Sequence, residues 1–488
     1  MLFNSHIFIF IFLPIALAGW FLLNRFRLFK VAGFFLICMS LWFYGYFNPT
    51  YLILILASLT LNYIVSFLMD RAGKARKAVF ILGLCLNIGI LGYFKYYDFF
   101  VENINALFKT GFTLKHILLP LGISFFTLQQ ISYLADRYKK TAPHYGILEY
   151  AGYVTFFPQL IAGPIVLHNE LIPQFKDKEK RTFNPISFRD GTVLFILGLS
   201  KKVLIADFFA NTVNFGFEKF VSLDTISAWL VAISYSFEIY FDFSGYSDMA
   251  VGLAKMFNFD IPGNFNSPYK ALSVGGFWKR WHMTLTRFLT AYIYIPLGGN
   301  RRGKLKTCIN IMLVFLISGF WHGASWTFII WGLVHGLGML WSRRSFLKIK
   351  NKVLARIFTF LFVTAAWVIF RSEDLYTMRL FLKAMFVPCY NGFVIDIGST
   401  LTLTPAFYVL IERILHVNIS ILYPVYTACL LICFVLTGLI LSGKNSTEIL
   451  ENRKDKGFTL PFTLGLGILL AWCLVSMTGV STFLYFNF

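Results

Sequence analysis

The sequence predicts an all-α polytopic transmembrane helical bundle of about 11–12 spans plus re-entrant segments, since a span needs roughly 20 apolar residues. Three observations predict it. Of 488 residues, 57% are hydrophobic and 14% charged, with mean hydropathy +0.68, whereas a soluble domain carries about 25% charged residues. The apolar residues come in span-length runs. The basic residues sit in the short connectors between those runs, the pattern that orients membrane proteins.

In order, the runs are Ile7–Leu23, Val31–Tyr46, Tyr51–Met69, Val79–Phe94, Ile117–Ala135, Leu194–Ala210 and Ala228–Phe241. Ile309–Trp321, Ser325–Trp341, Leu354–Phe370, Thr427–Ser442 and Leu460–Met477 complete them. The first lacks a basic n-region and a small-residue cleavage site, so it is expected to be retained as a helix with its N-terminus outside. Arg25–Lys30, Arg71–Lys77 and Arg137–Lys140 are then expected inside, and Phe47–Thr50 and Lys95–Lys115 outside. Tyr150–Val166 is apolar but broken by Pro158, Gly163 and Pro164 between basic flanks, which reads as a re-entrant segment. Irregular backbone at membrane depth is tolerated only inside protein or along a wet cavity. With Ile261–Pro268 and Tyr294–Gly303, also rich in Pro, Gly and Asn, it points to a cavity in the middle third. Ile397–Val417 is a mixed segment that either crosses or lies along the outer surface; the second choice places Ser481–Phe488 outside. No linker interrupts the pattern, so residues 1–488 read as a single membrane domain.

A net charge of +21 invites a nucleic-acid reading, but its placement in connectors implies the lipid bilayer as partner and no nucleic acid. Seven cysteines, an odd number without CxxC, suggest neither a disulfide framework nor a metal site, and read as packing residues.

Ionisable groups inside spans are costly and become functional candidates. In FEIYFDFSGYSDMA, Glu238 and Asp242 are four apart, as are Ser244 and Asp248, so each pair shares a helical face. They line a cavity or serve as caps and interhelical hydrogen bonds; Gly245 is expected to break the helix. In GFWKRWHMTLTR, cations alternate with aromatics around His282. That is either an interfacial amphipathic helix or a mouth where Lys279, Arg280 and Arg287 attract an anionic donor. SGFWHGASW and WGLVHG place His322 and His335 each just before the second glycine of a G-x-x-x-G, which favours close helix approach. Gly323–Ser325 is the only polar break between them, so the two histidines belong to adjacent helices of a hairpin. His322, beside Trp321, Ser318 and Ser325, suits proton abstraction at neutral pH. No Walker A, HExxH, Rossmann fingerprint or G-x-S-x-G is present, which argues against an ATPase, zinc protease or serine hydrolase. A transporter or flippase would also explain broken helices and buried carboxylates, though no inverted repeat is visible.

Taken together, PLGISFFTLQQISY (Pro120–Tyr133), FPQLIAGP (Phe157–Pro164), GLSKKVLIAD (Gly198–Asp207), YFDFSGYSDMA (Tyr240–Ala250), NFNSPY (Asn264–Tyr269), FWKRWH (Phe277–His282), YIPLGGNR (Tyr294–Arg301) and Phe320–Gly336 resemble the membrane-bound O-acyltransferase (MBOAT) family. The likeness is to its bacterial branch of alginate and peptidoglycan O-acetyltransferases and teichoic acid D-alanyl transferases. It departs from that pattern after FWKRWH, where Arg287, Phe288, Thr290 and Ala291 precede Tyr292. The resemblance implies an MBOAT-type bundle around a thin centre, with His322 as catalytic histidine and His282 as a second one; the polar clusters read above then supply Glu238, Asp242, Asp248, Ser318 and Trp321 as the expected supporting cavity. It also implies acetyl-CoA or another acyl thioester as donor, no metal, and the bacterial cytoplasmic (inner) membrane as location. The expected activity is O-acetylation of a cell-envelope polysaccharide with an extracytoplasmic SGNH-hydrolase-like partner, or alternatively D-alanyl transfer to teichoic acid. The ending STFLYFNF resembles the F-x-Y-x-x-F tails of this branch, which makes Tyr485 either an acyl relay or an aromatic membrane anchor.

Overall fold

The computed structural model describes residues 1–343, 349–400, 423–477 and 481–484, and the regular secondary structure among these is entirely helical. Among the described residues, six helices are long and apolar enough to cross a membrane: Phe8–Arg25, Thr50–Arg71, Gly73–Phe108, Lys304–His322, Lys352–Arg371 and Tyr423–Ser442. Phe29–Gly45, Trp326–Ser342 and Leu460–Ser476 are shorter apolar helices. Most of the mixed segment Ile397–Val417 lies outside the described residues.

Other runs are reshaped by packing. The helix expected from Ile117 starts at Ile123, because Gly122 turns the chain with φ +73° against the carbonyl of Leu160. Leu194–Ala210 divides into Pro185–Ser200, a π-helical stretch Lys201–Ala206, and Asp207–Glu218. The broken segment is present: Ile147–Thr155 and Phe157–Leu160 are short helices, and irregular backbone leads on to His168–Lys176.

The spine is one 32-residue helix, Thr225–Met256, capped by Asp224, whose side chain accepts from Ser227 N. The expected break at Gly245 is absent. Gly245 and Gly252 instead face Gly198 and Gly191 of Pro185–Ser200, antiparallel and backbone against backbone. A Cβ on Gly198 would lie 2.6 Å from the Gly245 carbonyl oxygen, and one on Gly252 2.6 Å from that of Gly191. With lipid as apolar as leucine, such small-residue contact is what drives helices together. Gly198→Leu is expected to lower the melting temperature in detergent, because overpacking costs about 1–3 kcal/mol; an unchanged melting curve would contradict this contact.

Polar groups at depth pair across helices, as where Asn62 and Asn87 exchange side-chain hydrogen bonds of 3.2 and 2.6 Å. The cysteines depart from expectation, since only Cys473 is buried. Lipid solvates a thiol as well as a core does, so an apolar run does not say which way its cysteine faces.

Candidate active site

His322 closes the Lys304–His322 helix. Gly323 is extended (φ −162°, ψ 156°), and Ser325 opens the Trp326–Ser342 helix by accepting from Thr327 N at 3.3 Å. The hairpin is tight because a Cβ on Gly319 would lie 3.2 Å from Gly332 Cα. Both histidines therefore sit where the sequence placed them, on facing helices, with Trp331 packed against each at 5.2 and 4.8 Å between ring centroids.

A helix end leaves carbonyls without partners and carries partial negative charge. Here Lys95 Nζ donates to the carbonyls of Trp321 (2.7 Å) and His322 (2.8 Å), and Tyr96 donates to that of Phe320 (2.8 Å). The His322 backbone is thus clamped by a cation from a distant π-helical turn, Gly92–Tyr96. The sequence had assigned Lys95 to an outer connector. The signal available was a lone lysine inside an aromatic stretch, FKYY, on the side expected to be poor in basic residues.

The His322 ring, 4% exposed, meets Trp321, Trp331 and Phe370 edge to face at 4.9, 5.2 and 5.3 Å. The His282 ring lies 6.3 Å from that of Trp321 and packs against Phe243 at 4.8 Å. The residue adopts a left-handed backbone (φ 42°) and bonds through Nδ1 to Asn264 Oδ1 at 3.1 Å. That oxygen also accepts from Thr284 N and Oγ1, so Nδ1 is the donor. Nε2 is therefore the basic nitrogen of the neutral ring. His335 is held differently: Trp278 donates to its Nδ1 at 3.1 Å. Asn264 falls within the NFNSPY stretch, but nothing in that stretch showed that it orients a histidine.

Two cavities approach His322 from different directions. A polar one of ≈ 690 Å³ has Glu238, Asp242 and Lys202 on its lining with Asn214, Arg371 and Glu373, and is walled by Phe328 and Phe370. Phe370 is thus shared between this cavity and the His322 ring. A narrower, mostly apolar crevice of ≈ 190 Å³ is lined by Trp278, Thr286 and Arg343 and reaches Ser318, one helical turn before His322. The Lys304–His322 and Lys352–Arg371 helices both start at basic connectors, and each rises roughly 30 Å. Arg371 and Glu373 therefore belong to the opposite side of the bundle, whereas Arg343 belongs to the basic side.

Buried polar atoms without a hydrogen-bond partner among the described residues gather here: Ser318 Oγ, Trp321 Nε1, Trp331 Nε1 and Glu238 Oε2. Each such atom costs about 1–3 kcal/mol, and a cluster of them marks a place built for a guest or water.

The remaining expected residues divide. Asp242 binds Lys202 Nζ at 2.6 Å and accepts from Leu484 N at 3.0 Å. Lys202 also reaches Asp207 (2.9 Å) and the Thr482 carbonyl (2.9 Å), and Ser481 donates to Asp207 at 2.7 Å. Phe483, 1% exposed, packs on Tyr246. The C-terminal segment is thereby clasped along the polar cavity, and Lys202, to which the sequence had given no role, is its centre. Tyr485 lies outside the described residues. Asp248 pairs with Lys201 at 2.6 Å and does not line the cavity. Lys279 is exposed and Arg280 partly exposed, whereas Arg287 forks onto Glu170 at 2.5 and 2.8 Å and onto the Ile165 carbonyl at 3.1 Å. Arg287 thus fastens the broken segment to the helix after His282.

The membrane-bound O-acyltransferase family profile matches residues 137–347, which contain His282, His322 and His335. A peptidoglycan O-acetyltransferase of Helicobacter pylori is 42% identical over all of this chain and 98% of its own length. A probable alginate O-acetylase of Pseudomonas aeruginosa is 39% identical over 79% of this chain and 75% of its own. A teichoic acid D-alanyltransferase of Streptococcus thermophilus is 25% identical over 48% of this chain and 59% of its own.

Proposed function

The chain belongs to the membrane-bound O-acyltransferase family and is a multi-pass membrane acyltransferase; from that premise we propose that it moves an acetyl group from a cytosolic thioester through the bilayer for O-acetylation of a cell-envelope polysaccharide. The observation that carries this reading is His322 placed between an apolar crevice on the basic side and a polar cavity on the other. The positive-inside pattern makes the basic side cytosolic, and the membrane is then the bacterial inner membrane. Relatives whose names state acetylation of peptidoglycan and alginate match most of the chain, which favours acetyl over D-alanyl transfer.

In this mechanism the thioester arm enters past Arg343 and Ser318. Exposed Lys279 and partly exposed Arg280 attract the phosphates of acetyl-CoA at the mouth; Arg287, held by Glu170, shapes that mouth. His322 takes the proton of the acceptor hydroxyl as its oxygen attacks the thioester carbonyl. The C–S bond then breaks and the thiolate leaves with that proton. His282, fixed by Asn264, supports this exchange from beside Trp321. The acceptor reaches His322 through the polar cavity beside Glu238 and Asp242. It is either Tyr485, passing the acetyl group to an extracytoplasmic SGNH-hydrolase-like partner, or the polymer itself.

Purified protein in detergent is expected to release coenzyme A from radiolabelled acetyl-CoA; no turnover by folded protein would overturn the proposed donor. Tyr485→Phe keeps the ring and removes the hydroxyl. It is expected to reduce polymer acetylation at least tenfold in cells, and an unchanged level would make Tyr485 an anchor.

A further inference from the structure

Away from His322, the periphery carries a second concave feature on the basic side. The Leu13–Arg25 helix ends and the Phe29–Gly45 helix begins around Phe29, and an apolar hollow lies on each flank of that ring. One, of ≈ 380 Å³, runs along the second helix past Gly33 and Leu36. The other, of ≈ 770 Å³, runs along the first past Leu17 and Phe21. Phe29 and Arg181 border both. Six cations edge the pair: Arg25, Arg27, Lys30, Lys176, Lys178 and Arg181, against the single carboxylate of Glu149.

Basic connectors are general in this chain, but this one is joined to a built seat. Arg181 is anchored by donating to the Phe175 carbonyl from Nε (3.0 Å) and Nη2 (2.5 Å), with its guanidinium 4.8 Å above the Phe29 ring. Its Nη1 makes no hydrogen bond among the described residues. Glu149 is occupied by Lys176 at 3.0 Å, so the rim stays strongly positive. The first hollow is open beside Gly33, where a Cβ would meet nothing within 4 Å.

We propose that this site holds one anionic diacyl phospholipid of the inner leaflet, its phosphate on the Arg181 rim and one acyl chain in each hollow astride Phe29. Charge selects the ligand: each Lys or Arg near an anionic lipid surface multiplies attraction about fivefold. Two apolar hollows under one cationic rim fit a two-chain amphiphile better than a free phosphate, which would leave both empty.

The test uses the full chain purified in detergent and exposed to mixed micelles of phosphatidylglycerol and phosphatidylcholine, with bound lipid counted by native mass spectrometry. Wild type is expected to retain about one phosphatidylglycerol with at least tenfold preference over phosphatidylcholine. Arg27→Gln/Lys30→Gln/Arg181→Gln is expected to abolish the preference. Gly33→Phe fills the first hollow without backbone strain and is expected to lower retention at least fivefold while the protein remains monodisperse. Retention by Gly33→Phe equal to wild type overturns the proposal even if the charge variant loses lipid, because attraction would then require no seat. Equal binding of the two lipids by wild type overturns it as well.

Discussion

His322→Ala is expected to lower acyl transfer about 10²–10⁴-fold, the span a positioned general base supplies, while leaving yield and melting temperature near wild type. The reason lies in how the residue is held. Its backbone is fixed by Lys95 on its own carbonyl and by the Gly319–Gly332 approach, neither of which involves the imidazole. Its ring packs edge to face on Trp321, Trp331 and Phe370. Truncation therefore removes a basic nitrogen between two cavities and opens only a small void. The measurement is initial-rate release of coenzyme A together with acetylation of the polymer in cells. Acetylation persisting within threefold of wild type would remove His322 from the chemistry. His282→Ala is the informative companion: it also removes one of the three donors to Asn264 Oδ1, so it should lower stability as well as rate.

Lys202→Met should cost about 3–5 kcal/mol, as breaking one side of a buried ion pair does. Lys202 is 2% exposed and Asp242 also 2%, and without the ammonium Asp242 and Asp207 face each other as like charges. The same change frees the Thr482 carbonyl, so the C-terminal segment should loosen along with the core. Denaturant unfolding in detergent reads the first effect, and faster removal of the tail by carboxypeptidase reads the second. Adding Asp242→Asn to Lys202→Met should recover part of the stability, because the uncompensated charge goes with it, but not the tail protection, because Lys202 still no longer holds Thr482. A single mutant as stable as wild type would show that the clasp contributes nothing.

Much of the candidate site was readable from residues in order. Gly323–Ser325 as the chain reversal, the paired glycines beside each histidine, and the broken segment at Pro158–Pro164 all announce themselves through backbone chemistry, which is local. What failed to read was whatever depends on a distant partner. Gly245 carries the same signature whether it ends a helix or lets a neighbour's carbonyl approach, and only the facing Gly198 distinguishes the two. Arg287 looks like one more cation at a mouth until Glu170, 117 positions earlier, occupies its fork. Lys95 looks like a connector residue until the helix end it caps, 226 positions later, is in view.

By itself, the sequence determined that this chain lives in a membrane and that its polar residues concentrate in the middle third; it left His322 a candidate among three polar clusters, singled out by the family resemblance. Hydropathy, charge placement and glycine spacing act over a few residues, and the bilayer imposes them on any fold. Only the tertiary structure decided that Lys202 gathers two carboxylates and the chain's own C-terminal segment, and that a crevice reaching Ser318 and a cavity walled by Phe370 both approach His322. Those assignments rest on contacts between segments up to 280 residues apart, where no local pattern records which charge finds which partner.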